Sequence, residues 1–297
     1  MFYHLFVNGS IKPDTIEVEK GVPLFIFRLG EGKPHVFLIS GVHGDEQTGI
    51  YVAESLIEKL SKMELFGSIT IVPVANPPAF RCKTHNSPMD GLNMNRIFPG
   101  NREGTVTERL AAEIWEQAIQ ADYIIDLHSC EEECIPYVLA LHREFSYVKS
   151  LAYKVGIPYV IESIGTRGQL FVEASREGIP AIVIEMGGRC SVDLQSAVRV
   201  RDSLLNFLTS LGIIRGYELE SKPEFYGRII EINAPSEGLF IPKSFCGSKV
   251  GEESTIGEIK NGSNIIAPLN GLLVYIKRVM YVFKGEKIAG IAAKIKH

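Results

Sequence analysis

Apolar and polar positions along the chain fall into two textures. In the first 216 residues, short apolar runs alternate with longer stretches of helical spacing. HLFVN and PLFIFRLGEG read as strands of a lead-in hairpin or edge, punctuated by Gly and Pro. HVFLIS, from His35 to Ser40, is continuously apolar and predicts a strand buried on both faces. It runs into GVHGDEQTG and then IYVAESLIEKLSKM, whose spacing predicts a helix with Thr48 available as its cap. SITIVPVANP, from Ser68 to Pro77, reads as a second buried strand. This strand, loop, helix, strand order is that of a parallel sheet with crossover helices. From Pro77 to about Gly104 the chain is rich in Pro, Gly and Asn and reads as one long loop, a length that usually signals either function or disorder. TERLAAEIWEQAIQ and YVKSLAYKVG then predict helices, ADYIIDLHS and AIVIEMGG predict strands, and DLQSAVRVRDSLLNFLTSLG predicts a long amphipathic helix that closes the unit near Gly216.

Past that point helical spacing disappears and short Val/Ile-rich runs alternate with Gly and Pro turns. The expectation is two domains, 1–216 of α/β class with a mixed, mostly parallel sheet flanked by helices, and 217–297 a small all-β unit of barrel-sandwich type. EGLFIPKSFCGSKVGEESTIGEI and NGLLVYIKRVMYVFKGEKIAGIA both open on Gly-Leu and reach a Gly-Glu turn 13 or 14 residues later, a quasi-repeat that fits such a barrel or sandwich. Chance similarity between Gly-rich hairpins is the competing account. The repeat is similar to lipoyl and biotinyl domains, but YIKRV around Lys277 lacks the Met-Lys-Met pattern of a modified lysine, so no modification is expected.

Composition narrows the function. Of 297 residues, 45% are hydrophobic and 22% charged, enough apolar material for a sizeable core. A net charge of −4 without a run of Lys or Arg gives no electrostatic footprint for nucleic acid. No apolar stretch approaches the ~18 residues of a membrane span, and the N-terminus lacks a signal pattern, so a cytoplasmic protein without membrane partners is expected. Cys82, Cys130, Cys134, Cys190 and Cys246 are odd in number and scattered, unlike a disulfide framework, and reduced thiols are expected. A homo-oligomer is left open.

Three polar clusters stand where buried strands end: His43-Gly-Asp-Glu46, Asp126-Leu-His128-Ser, and Glu185 within AIVIEMGG. In open α/β sheets, sites form at the carboxyl ends of strands, so the three could meet. Two imidazoles and a carboxylate are a common zinc set in hydrolases, with a fourth position left for water, and His43, Glu46 and His128 would supply it. Each alone is more often a hydrogen-bonded loop residue. Asp126, two residues before His128, leaves the strand on the same face and could orient the imidazole or cap a loop. Glu185 is costly to bury unless paired or functional, and it could shuttle protons; a strand-end Glu reaching solvent is the alternative. In the long loop, Asn95-Arg96 could clamp a substrate carboxylate or form a surface ion pair.

The set H-G-D-E, N-P-P-A-F, D-G-L-N-M-N-R-I-F-P-G, D-L-H-S and I-E-M-G-G resembles the succinylglutamate desuccinylase/aspartoacylase family, relatives of the zinc carboxypeptidases, over nearly the whole chain. The resemblance implies one Zn²⁺ on His43, Glu46 and His128, a substrate carboxylate on Asn95 and Arg96, and Glu185 as the catalytic carboxylate. Family members typically carry an oxyanion-stabilising Arg where this chain has His85. His85 could serve instead, or Arg81 or Lys83 could reach in. The cysteines of SCEEEC are expected to be structural. The implied activity is hydrolysis of a small carboxylated amide, an N-acyl amino acid. Carboxypeptidase action on short peptides and a non-catalytic zinc- or ligand-binding protein are the alternatives.

Overall fold

The computed structural model describes residues 12–130, 133–188, 190–260 and 262–295. The strand expected over HLFVN lies outside them. Strands β1 (Asp14–Glu19) and β2 (Val22–Gly30) form an antiparallel hairpin, and β3 (His35–Ser40) and β4 (Ser68–Val72) flank helix α1 (Gln47–Leu60). Next come α2 (Pro77–Cys82), a 3-10 turn at Met94–Arg96, α3 (Val106–Ala118), β5 (Tyr123–Ser129), β6 (Glu133–Cys134) and β7 (Tyr137–Ala140). The α/β part closes with α4 (Ser146–Val155), β8 (Tyr159–Glu162), α5 (Leu170–Arg176), β9 (Ala181–Met186) and α6 (Leu194–Ser210). The sheet runs β1-β2-β4-β3-β5-β9-β7-β8, and its central stretch β4-β3-β5-β9 is parallel.

The apolar runs of β3, β5 and β9 have no polar face because both sides of the sheet are covered. Leu38, Ile125, Leu127, Ile182 and Ile184 face a layer that includes Val52, Leu56 and Ile57 of α1 and Val200, Leu204 and Phe207 of α6. Phe37, Ile39, Ile124, Ala181 and Val183 face the opposite layer, with Leu110, Ala111 and Ile114 of α3 and Phe171 of α5. Strand period two divides each run between the layers. Asp126 and His128 continue the Ile124 face and Glu185 continues the Val183 face, so all three leave the sheet on one side.

Several expectations are corrected. Thr48 does not cap α1: the helix begins at Gln47 with Glu46 in the cap position, and the Thr48 hydroxyl instead donates to Gly187 O at 2.8 Å. The second strand stops at Val72. The stretch from Pro77 is not all loop either, since α2 starts there with Asn76 Oδ1 accepting from Ala79 N and prolines in its first turn, where no N–H is required.

After Gly216 every described element is a strand: β10 (Glu224–Asn233), β11 (Gly238–Pro242), β12 (Lys249–Val250), β13 (Thr255–Ile259), β14 (Asn264–Ile266), β15 (Gly271–Ile276), β16 (Met280–Val282) and β17 (Lys287–Lys294). β10 joins β8 in parallel and pairs with β17, so the large sheet runs on through β10-β17-β15-β12, while β14-β13-β11-β16 form a second sheet. The halves of the quasi-repeat correspond. β11 pairs with β13 as β15 pairs with β17, and they exchange short strands, β11 with β16 and β15 with β12. Phe240, Ile256, Ile259, Leu273, Ile276 and Ile288 fill the space between. The Lys277 ammonium is committed to Glu286 at 2.6 Å and only 12% exposed.

Candidate active site

The loop after β3 turns sharply and presents its side chains toward the end of β5. Gly44 makes this turn feasible: a Cβ there would stand 2.0 Å from Ala79 C and 2.1 Å from Ala79 O, while its own N–H donates to Thr84 O at 2.9 Å. Backbone cannot yield as a flexible side chain can. Gly44→Ala is expected to cost at least about 2 kcal/mol and to displace His43 and Glu46. Thermal denaturation together with metal content checks this, and a native melting curve would contradict it.

His43, Glu46 and His128 are buried, at 5%, 6% and 3% exposure, and one donor atom from each lies within 4.8 Å of the others. His43 Nδ1 is 2.8 Å from Glu46 Oε1, and His128 Nδ1 is 2.9 Å from Glu46 Oε2, which also accepts the Ser129 N–H at 2.9 Å. The outer ring nitrogens face acceptors. Asn93 Oδ1, fixed as an oxygen by the Asn95 N–H it accepts at 2.9 Å, stands 3.1 Å from His43 Nε2. Asp126 Oδ1 stands 3.1 Å from His128 Nε2, in contact though without full hydrogen-bond alignment. This pattern assigns the ring protons to the two Nε2 atoms. With one proton on each ring, both Nδ1 lone pairs would point at the Glu46 oxygens, which is repulsive unless a cation, a proton or a metal ion, lies between them. The donor set suits zinc on this ground.

Burial opposes charge on Glu46, but His128 and His43 outweigh it and hold its carboxyl well below the usual range. Burial likewise disfavours a charged His128 ring, and Asp126 and Glu46 reverse the balance, raising it well above the ordinary value. Glu185 behaves oppositely. In the parallel register it sits directly beside His128, and desolvation pushes its carboxyl up to about 7 against the pull of that ring. The Cys130 thiol points at Glu185 Oε2 from 3.7 Å and lies equally far from the Tyr137 hydroxyl; Tyr137 is the register partner of Glu185 on β7. Cys130 is therefore in contact with the carboxylate, where the sequence suggested a bystander. All five cysteines are free thiols.

His85 stacks on His43 with ring centroids 3.6 Å apart. Its Nδ1 is 3.6 Å from Asp45 Oδ1 and 3.9 Å from Glu46 Oε1. Arg81 and Lys83 are exposed at the end of α2. Asn95 is buried with Oδ1 facing Leu170 N at 3.4 Å, and Arg96 is exposed with one guanidinium nitrogen donating to Asn95 O at 2.6 Å. Among the described residues Arg96 has no acidic partner, so the surface ion pair is not formed there. Two residues have roles at the site that sequence reasoning did not give them. Asn93 was legible only as one of three polar residues in N-M-N-R, and Thr48, which also accepts the Asp193 N–H at 3.1 Å, ties α1 to the turn after β9. A cleft of about 810 Å³ adjoins that turn, lined among others by Cys134, Gly187, Gly188, Arg199 and Arg278 and by none of the three clustered donors.

The succinylglutamate desuccinylase/aspartoacylase catalytic domain model matches residues 32–211, which hold every residue of this cluster. The chain belongs to the succinylglutamate desuccinylase/aspartoacylase family. Among curated members it is 30% identical over 215 residues to N-alpha-acetyl-L-2,4-diaminobutyric acid deacetylase of Halomonas elongata, a match covering 69% of this chain and 63% of that relative. The chain thus aligns with less than two thirds of that protein's length. In fold it is similar to an aspartoacylase family protein of Mesorhizobium loti, with a TM-score of 0.78 and 25% identity over 93% of this chain and 90% of the other. It is similar also to the product-bound ectoine utilization protein EutE (DoeB) of Ruegeria pomeroyi, with a TM-score of 0.79 and 23% identity over 92% and 89%. The mixed α/β architecture is the one these family structures share. No helix among the described residues is long and apolar enough to cross a membrane.

Proposed function

We propose that this chain is a zinc-dependent hydrolase that cleaves the amide bond of a small carboxylated substrate, an N-acyl amino acid, with residues 1–216 as catalytic domain and 217–297 as a small β domain. The observation that carries the reading is the β5/β9 register, which sets Glu185 beside His128 while His128, Glu46 and His43 converge. Held by those three residues, zinc would polarise the substrate carbonyl and bring the pKa of a water down to about 7. Glu185 accepts a proton from the attacking water and returns it to the departing amine. The Cys130 thiol steadies the carboxylate for both transfers. Asp126 and Asn93 hold the two imidazoles by their outer nitrogens, and His85, against His43, is the donor nearest the developing oxyanion. Asn95 and Arg96 receive the substrate carboxylate. The acetylated amino acid named for the Halomonas relative supports a small acyl group.

Arg96→Ala tests the substrate side. A charge-assisted hydrogen bond contributes roughly 1.5–3 kcal/mol, so KM for an N-acetyl amino acid should rise about 10- to 100-fold with a smaller change in kcat, and Arg96→Lys should recover part of it. An unchanged KM would remove Arg96 from the clamp. The same assay run on dipeptides separates the carboxypeptidase reading, which requires release of the C-terminal residue and no cleavage of N-acyl amino acids.

A further inference from the structure

We propose that Asn93 is a positioning residue that holds two stacked imidazoles in opposite tautomers, keeping His43 Nδ1 as a lone pair for the metal ion and His85 Nδ1 as a neutral N–H donor toward the substrate. The proposal deepens the hydrolase reading and rests on it for what the two rings do. Asn93 precedes the 3-10 turn that carries Asn95 and Arg96, and its Oδ1 accepts the Asn95 N–H at 2.9 Å. A backbone donor thus decides which end of the amide is oxygen. The same Oδ1 stands 3.1 Å from His43 Nε2, so that nitrogen carries the His43 proton. The amide nitrogen Nδ2 is then turned to His85 Nε2, at 3.4 Å. An amide NH₂ only donates, so His85 Nε2 is the acceptor and the His85 proton sits on Nδ1. A doubly protonated His85 would set two donors against each other.

The loop between the two residues is tied so as to hold this contact. Ser87 N donates to Leu92 O at 3.0 Å, Gly91 N to Ser87 O at 2.9 Å and Asn86 Nδ2 to Gly91 O at 3.0 Å, which closes the chain between His85 and Asn93 into a turn. Gly44 N donates to Thr84 O at 2.9 Å and fixes the start of that turn against the His43 loop. The His85 and His43 rings lie nearly parallel, at 16°, with centroids 3.6 Å apart. On the inner edge His85 Nδ1 is 3.6 Å from Asp45 Oδ1 and 3.9 Å from Glu46 Oε1, the oxygen that faces His43 Nδ1 at 2.8 Å. Both carboxylates favour a proton over a lone pair on that nitrogen. The N–H therefore lies beside the metal ligands, where a substrate carbonyl oxygen gains negative charge and a fixed donor acts most strongly. One amide thereby links the clamp turn, a metal ligand and a donor.

The test reads the proton position itself. Full-length protein carrying isotope-labelled histidine, zinc-stripped and zinc-loaded, is examined by long-range proton–nitrogen correlation spectra, which separate protonated from unprotonated ring nitrogens. The His85 signals are identified by their loss in His85→Phe. Wild type should show His85 as a neutral ring with its proton on Nδ1. In Asn93→Asp, nearly isosteric with the native residue, the carboxylate still accepts from Asn95 and His43 but cannot donate, so His85 Nε2 should gain a proton. A proton on His85 Nε2 in wild type overturns the proposal, as does an Nε2 that stays unprotonated in Asn93→Asp; if that variant fails to fold, the wild-type spectrum decides. His85→Phe keeps a ring against His43 without an N–H. Its zinc content and KM for an N-acetyl amino acid should stay near wild type while kcat falls about 10²- to 10³-fold, the loss expected for one oxyanion donor. An unchanged kcat overturns the donor role. Wild type that binds no zinc and cleaves no N-acyl amino acid overturns the hydrolase reading and the donor role with it, while the spectrum still decides the tautomer.

Discussion

Glu185→Gln is expected to lower kcat by about 10²- to 10⁴-fold, the usual contribution of a positioned acid–base group, while KM and zinc content stay near wild type. The amide has the size of the carboxyl group and can still accept from the Cys130 thiol, so the β9 strand and its neighbours lose no contact. It cannot take or return a proton. Burial already disfavours the charged carboxylate, as its rise to about 7 shows, so a neutral side chain should leave the melting temperature unchanged or slightly raised. Steady-state kinetics on an N-acyl amino acid, with metal analysis of the same sample, checks this. Turnover equal to wild type would sink the role assigned to Glu185.

His128→Ala should act on the metal itself. It removes one of three ligands and leaves Asp126 and Glu46 without the ring between them, in a site closed to solvent. Breaking a buried pair from one side costs about 3–5 kcal/mol. Lower thermal stability, sub-stoichiometric zinc and no measurable hydrolysis are expected together. The informative reading is the stabilisation that added zinc gives. In wild type the ion binds the native state and raises Tm, whereas in the variant that rise should be largely lost. An undiminished zinc-dependent rise would show that His128 is not a ligand.

The central strands were legible because β3, β5 and β9 are buried on both faces and so read as unbroken apolar runs. Helix α3 was legible through its helical spacing, and the capping box between Thr105 and Glu108 that starts it was not read from the sequence. The short strands β7 and β8 were not, since four residues of YVLA or YVIE carry too little periodicity to separate strand from loop. Helix α2 was hidden by its own prolines, which read as loop although Pro at the first helical turn is favourable. Thr48 was misassigned for a related reason: the start of helical spacing marks the apolar face, not the first hydrogen-bonded residue. At the site, strand parity put Asp126 with His128 correctly, because side chains two apart share a face. The contacts of Asn93 with His43 and of Cys130 with Glu185 join residues 50 and 55 positions apart, and only the fold creates them.

The most direct test compares wild-type protein stripped of metal with the same protein reloaded with zinc, measured as kcat/KM on an N-acyl amino acid. The account predicts negligible hydrolysis without metal and recovery on reloading, with His128→Ala failing to recover. Full turnover by the metal-free protein, or no cleavage of any N-acyl amino acid by the zinc-loaded one, would contradict it.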